Sequence, residues 1–211
     1  VDNTFATPIN QRPLTLGADL VVYSATKYLN GHSDVMGGLV VGKKSLIRTI
    51  FHYREITGAT LHAHSAYMIL RGMKTLELRM QRHNENGMKI ASWLSAHPKV
   101  EQVFYPGLPT HPHYDIAKKQ MHGFGGMMSF SLKGGFPAVI TVLENMKLAH
   151  KAASLGSVGT LVGPPCTTSH VELTAEERAN AGIPEGLIRY SAGIENLEDL
   201  IEDLRQALDR V

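Results

Sequence analysis

The stretch Ala18-Asp-Leu-Val-Val-Tyr-Ser24-Ala-Thr-Lys27-Tyr-Leu-Asn-Gly-His-Ser-Asp34-Val-Met-Gly-Gly38 constrains this chain most. A compact apolar run ends in two hydroxyl residues and one lysine. Glycine-rich backbone follows, and then a second run, Gly38-Leu-Val-Val-Gly42. Runs that are apolar throughout, rather than alternating, predict strands of a sheet buried on both faces. Helical spacing covers 44–56 and 64–80, and a longer helical pattern over about 75–96 stops at His97-Pro98. Beyond it the pattern predicts a strand over 100–105, a Pro/Gly/His-rich loop to His113, a short helix, and a strand at Met127–Leu132. A helix opened by Pro137 comes next, then Thr174-Ala-Glu-Glu177 with capping-box spacing, a strand at Leu187–Ser191 and an amphipathic helix at Leu197–Leu208. Strands alternating with helices indicate an α/β or α+β architecture, with the helix over 75–96 bridging a first module and a smaller C-terminal one.

Composition excludes several classes. A formal net charge of +2, with basic residues scattered along the chain, gives no footprint for nucleic acid. No apolar run approaches the ~18 residues of a membrane span, so no membrane partner is expected. The single cysteine, Cys166, cannot form an intramolecular disulfide and suits a reducing cytoplasm. His62-Ala-His64 and His111-Pro-His113 are tempting pairs, but no acidic or cysteine ligand stands beside either at zinc-like spacing. No metal is expected.

Five residues together suggest chemistry. A lysine whose stem is packed and whose amine faces a pocket is what a Schiff base to an aldehyde cofactor requires. Ser24 and Thr26, two apart in an extended segment, share a face and suit hydrogen bonds to a phosphate. Asp2 supplies a carboxylate that could pair with a protonated pyridine nitrogen. Arg189, inside the apolar strand Leu-Ile-Arg-Tyr-Ser, supplies a planar cation matched to a substrate carboxylate. Each alone has an ordinary reading as a surface lysine, turn residues, a cap or a structural ion pair. Their order along the chain carries the inference.

In that order the sequence resembles the cysteine/methionine-metabolism pyridoxal-phosphate enzymes of fold type I. The matching motifs are Val1-Asp-Asn-Thr-Phe-Ala-Thr-Pro8, the stretch from Leu16 through Lys27 to Gly38, Leu70-Arg-Gly-Met-Lys-Thr-Leu76, Tyr105-Pro-Gly-Leu108, Ser154-Leu-Gly156 and Leu187-Ile-Arg189-Tyr-Ser-Ala-Gly-Ile-Glu195. The resemblance implies the C-terminal part of a large mixed-sheet cofactor domain over 1–78 and a smaller α+β domain over 79–211. It implies pyridoxal 5'-phosphate as cofactor and an amino acid as small-molecule substrate. By the same resemblance Lys27 is the Schiff-base lysine, Asp2 the partner of the pyridine nitrogen, and Thr4, Ser24 and Thr26 further cofactor contacts. Arg189 anchors the substrate carboxylate, and Ser154 lines the same end of the pocket. A homo-oligomer, a dimer of dimers, is implied as well.

The chain opens on Val1-Asp2 without an initiator methionine, as a strand already inside a domain would. The expectation is a fragment. Family members carry an N-terminal part with an aromatic residue stacking on the cofactor, a Gly-rich phosphate loop, and a Tyr/Arg pair reaching across the dimer. The implied reaction is γ-elimination on a sulfur amino acid, of the methionine γ-lyase type. The alternative is γ-replacement on an acylated homoserine, as in sulfhydrylases and cystathionine γ-synthase. A reading from another class is a non-catalytic fragment that contributes only assembly surface. Ala153 stands where cystathionine-type members commonly place a glutamate, which favours a small or apolar γ-substituent. Val158-Gly159-Thr160 departs from the family's Val-Glu-(Ser/Thr).

Overall fold

The computed structural model describes residues 1–211. After the short helix α1 (Thr7–Asn10) and a 3-10 turn at Pro13–Leu16, β1 (Leu20–Ser24) pairs antiparallel with β2 (Gly38–Gly42). Residues 1–3 run beside β1 on its other edge: Asp2 bridges Val22 in parallel, and Asn3 N–H donates to Val22 O at 3.0 Å. The sheet is not buried on both faces as the apolar runs predicted. Val21 and Tyr23 point inward, while Val22, Val40 and Val41 remain 39–46% exposed. The antiparallel pair covers one face only, and alternation along β1 decides which side chains are inside.

Helices α2 (Lys44–Thr57) and α3 (Ala63–Met73) follow, and then α4 (Leu76–Ser95). The helical pattern over 64–80 is broken at Lys74-Thr75. Thr75 leaves helical geometry, and its hydroxyl donates to Gly72 O at 3.2 Å. Gly72 packs so tightly on the backbone of Asn30 that a Cβ would stand 3.0 Å from Asn30 Cα. The turn therefore lets α3 end against the segment after Lys27 while α4 departs in a new direction.

The second sheet has the order β3-β4-β7-β6-β5, from β3 (Val100–Phe104), β4 (Met127–Leu132), β5 (His150–Lys151), β6 (Leu161–Gly163) and β7 (Leu187–Ser191). All its pairs are antiparallel except β5 with β6. Helix α5 (Tyr114–Gln120) lies between β3 and β4 in sequence. Helix α6 (Gly135–Asn145) starts two residues before Pro137, and α7 (Ala175–Asn180) carries the expected Thr174–Glu177 capping box. On one face of the sheet Met128, Phe130, Leu132, Ile188 and Tyr190 form a core with α4, α6 and α8 (Leu197–Leu208). Alternation then places Ser129 and Arg189, register partners across β4 and β7, on the opposite face.

The short strands β5 and β6 have no periodic signal and depend on carboxylates. Buried Asp203 on α8 accepts the backbone N–H groups of Lys147 at 2.7 Å, Leu148 at 3.0 Å and Ala149 at 3.2 Å, fixing the entry to β5. Glu195 accepts both the N–H (2.6 Å) and the hydroxyl (3.0 Å) of fully buried Thr160. The altered triplet Val158-Gly159-Thr160 thus keeps the residue that the fold uses.

Two predictions follow from the buried polar groups. Asp203→Ala leaves three backbone donors without partners and lowers stability by about 3 kcal/mol, measured by urea denaturation; a loss under about 1 kcal/mol contradicts the capping role. Burial pushes the His83 imidazole down to about 4, whereas in an unfolded chain it titrates near 6.5. Between these values the unfolded chain binds a proton that the folded core refuses. Stability contributed here is intact above about 6.5, falls as pH drops, and levels off below about 4, for a total of about 3 kcal/mol. Denaturation curves at neutral pH and near pH 4.5 should show a smaller acid loss in His83→Gln than in the wild type.

Candidate active site

Lys27 follows the end of β1, where the chain turns: Lys27 N–H donates to Ser24 O at 3.2 Å and Gly31 N–H to Lys27 O at 2.8 Å. Its ammonium crosses 127 positions of sequence to donate to Ser154 Oγ at 2.8 Å. Arg189 reaches the same residue from β7 and donates to Ser154 O at 3.3 Å. Two cations therefore meet at one serine with no carboxylate between them. Burial first, and the Arg189 guanidinium second, hold the Lys27 amine below the ordinary lysine range. Burial also lowers Arg189, which nevertheless stays charged.

The loop carrying Ser154 is tied to both sides. Gly156 N–H donates to Ser191 Oγ at 2.9 Å, Val158 N–H to Gly31 O at 2.8 Å and Ile194 N–H to Val158 O at 2.9 Å. Gly156 has φ +72°, and a Cβ there would lie 2.8 Å from the Tyr28 nitrogen, so only glycine fits. Ser154 thus lies beside Arg189, and its bond to Lys27 gave no sequence signal.

A cleft of about 760 Å³ opens beside Lys27. Asp2, Thr4, Ser24 and Lys27 line it on one side, and Phe104, Phe124, Met127 and Ser129 on the other. Asp2 is exposed there. The hydroxyl and backbone N–H of Thr4 hold its carboxyl below the usual range, the N–H at 2.9 Å. Thr4 Oγ1 also accepts the Ser24 N–H at 2.8 Å, so this threonine links the Asp2 and Lys27 segments. The Ser24 side chain lines the cleft beside them.

Thr26 does not share that face. The strand ends at Ser24, and Thr26 lies in the turn, bordering a second hollow with Asp34, Met36, His64 and Ser154. Its hydroxyl accepts Gly37 N–H at 3.1 Å and donates weakly to Gly37 O at 3.4 Å. Asn30 supports this loop: its amide donates to Asp34 at 2.8 Å, and its carbonyl bonds His32 Nδ1 at 2.7 Å. The histidine pairs have a local explanation. His62 and His111 each accept, through Nδ1, the N–H two residues on, at 3.2 Å, and no three potential metal ligands stand together.

The sequence profile of the Cys/Met metabolism PLP-dependent enzymes matches residues 1–209. The chain belongs to this family. Among its relatives is an L-methionine gamma-lyase of Fusobacterium nucleatum subsp. polymorphum, 54% identical over all of this chain and 54% of that protein. A cystathionine beta-lyase of Coxiella burnetii is 51% identical over 98% of this chain and 54% of its own length. A crystal structure of cystathionine gamma synthase from Xanthomonas oryzae pv. oryzae in complex with cystathionine superposes with TM-score 0.96 at 47% identity. It covers all of this chain and 55% of that one. The fold is therefore that of the pyridoxal-phosphate enzymes of this family. The chain spans about half the length of the curated relatives it matches.

Burial first, and the neighbouring cation second, leave more of the Lys27 amine unprotonated at neutral pH than in an exposed lysine. Competitive acetylation read by peptide mass spectrometry should show Lys27 titrating below the ordinary lysine range. In Arg189→Gln the removed positive charge favours the protonated amine, so the Lys27 midpoint rises. An unchanged midpoint contradicts the proposed coupling.

Proposed function

We propose that the protein containing this chain is a pyridoxal-phosphate-dependent carbon–sulfur lyase that carries out γ-elimination on a sulfur amino acid, of the methionine γ-lyase type. The supporting observation is the convergence of Lys27 and Arg189 on Ser154, beside a cleft lined by Asp2, Thr4 and Ser24. An amine, a carboxylate acidic enough to stay ionised, a serine at the rim and a guanidinium form a donor set that fits the cofactor. When bound, the cofactor supplies an aldehyde and an electron sink that acidifies the substrate Cα–H.

The chain's own residues then have separable tasks. Asp2, anionic well into the acid range, would hold a cationic ring nitrogen. Ser24 would donate to the phosphate, with Thr26 as its companion across the turn. Arg189 would take the substrate carboxylate in a bidentate pair and so orient the amino acid. Lys27, with its lowered proton affinity, would remove the proton from Cα and later return one. Ser154 would steady the amine between these transfers.

Ala153 offers no carboxylate of its own for a second amino group on the substrate's distal arm, which supports methionine over cystathionine. The close match to a cystathionine gamma synthase supports, as a second reading, γ-replacement on an acylated homoserine. We further propose the division into a cofactor-domain portion over 1–78 and a C-terminal domain over 79–211, assembly as a dimer of dimers, and a cytoplasmic setting for the one free thiol. No helix is long and apolar enough to cross a membrane.

The intact protein should be yellow, and borohydride should fix cofactor mass on Lys27. Methionine alone should yield ammonia and a 2-oxo acid, at least ~10³-fold faster than with Lys27→Ala. A strict need for a sulfur nucleophile would move the assignment to γ-replacement. A colourless protein that takes up no cofactor would leave an assembly role.

A further inference from the structure

Helix α4 carries Arg79, His83 and Asn86 at i, i+4 and i+7, on one face. All three are buried, with at most 4% exposure. A helix packed in a core ordinarily presents apolar residues at such positions. Arg79 and His83 have no acidic partner among the ion pairs of the chain. The partners of the stripe are chiefly backbone carbonyls, and those carbonyls lie in the segments that bear the site.

Arg79 serves the lysine side. Its Nη1 donates to Tyr28 O at 2.7 Å, and its Nη2 to Leu29 O at 3.2 Å and Gly72 O at 2.9 Å. Nε donates to Thr75 Oγ1 at 3.1 Å, which aims the guanidinium. Gly31, at φ +77°, lies against this guanidinium with no room for a Cβ. Tyr28 and Leu29 directly follow Lys27.

The other two residues serve the arginine side. His83 Nδ1 bonds Ala192 O at 2.8 Å, and because the partner is a carbonyl this nitrogen carries the proton. Asn86 Nδ2 donates to Gly193 O at 2.9 Å and Glu195 O at 3.0 Å. These carbonyls begin three residues beyond Arg189, at the end of β7. His83 also meets the Tyr28 ring edge-on, with centroids 5.0 Å apart.

We propose that the stripe Arg79–His83–Asn86 is the positioning device of the site, one helix fixing the spacing between the Lys27 amine and the Arg189 guanidinium. This rests on the roles proposed above for Lys27 and Arg189. The physical basis is rigidity. Seven residues of α-helix span about 10 Å with little freedom to stretch. A buried donor set on that rod holds two loops in one register, because releasing either loop leaves charged or amide donors unpaired. Apolar packing alone would not specify which carbonyl sits where.

The test compares Arg79→Gln, Arg79→Lys and Asn86→Asp in the intact protein, with exposed Arg82→Gln as control. Hydrogen exchange is followed at the bonded amides of Asn30 and Gly31, and of Ala192, Gly193 and Ile194. Arg79→Gln should speed the first pair about tenfold and the second set less than about threefold. Its acetylation midpoint for Lys27 should move toward the ordinary lysine range, and Arg79→Lys should recover part of both effects. Asn86→Asp should show the opposite exchange pattern and raise KM for the amino acid about tenfold with kcat less affected.

Uniform acceleration across the core in both variants, with the Lys27 midpoint unmoved, would reduce the stripe to ordinary structural support. If Arg79→Gln does not fold, Thr75→Val removes the Nε acceptor, together with the hydroxyl's own bond to Gly72 O, and leaves the other guanidinium bonds in place. It should accelerate Asn30 and Gly31 to a smaller extent; unaltered exchange there overturns the proposal. If the wild type converts no amino acid, the proposed reaction fails while exchange and acetylation still decide the positioning role.

Discussion

The bond from Lys27 to Ser154 is the constraint on which the site depends, because it joins parts of the chain that share no sheet. An amine placed beside a guanidinium has an electrostatic cost, and here no acid lies between them to offset it. The fold sustains the arrangement by immobilising the loop between them. Gly156 is pressed on Tyr28, Val158 on Gly31 and Thr160 on Glu195. After burial, the same repulsion lowers the proton affinity of Lys27, so a destabilising contact also contributes to the proposed reactivity.

Elements with their own local signal were legible in the sequence. β2, β4, β7 and α8 lie where apolar runs or helical spacing placed them, and the capping box opens α7 as its residues required. What could not be read depended on partners distant in sequence. β5 and β6 are two and three residues long, and they are held by Asp203 and Glu195 through backbone bonds that no periodicity records. The break between α3 and α4 comes from Thr75 and from Asn30 pressing on Gly72, again a tertiary cause. The exposed outer side of β1 and β2 shows the limit of reading burial from apolar runs.

The site was legible as residue types more than as geometry. Lys27, Asp2 and Arg189 each stood out because a charge sat beside apolar sequence. Their convergence came only with the fold. Ser24 lines the cleft beside Asp2, while Thr26 turns to Gly37 because the strand stops at Ser24, two residues short of where the shared-face argument required it. Ser154 carried no signal of its bond to Lys27. Arg79, His83 and Asn86 stand among the exposed polar residues Gln81, Arg82 and Glu85, so nothing in the sequence marked them as a buried face.

In the proposed mechanism Lys27 and Arg189 hold the two ends of one substrate. The most direct measurement is a crystal structure of the intact protein with cofactor and an unreactive methionine analogue. The analogue's carboxylate should pair with Arg189, and its amino end should lie at the Lys27 side of Ser154. A carboxylate bound elsewhere, with Arg189 still on the Ser154 carbonyl, would contradict that mechanism.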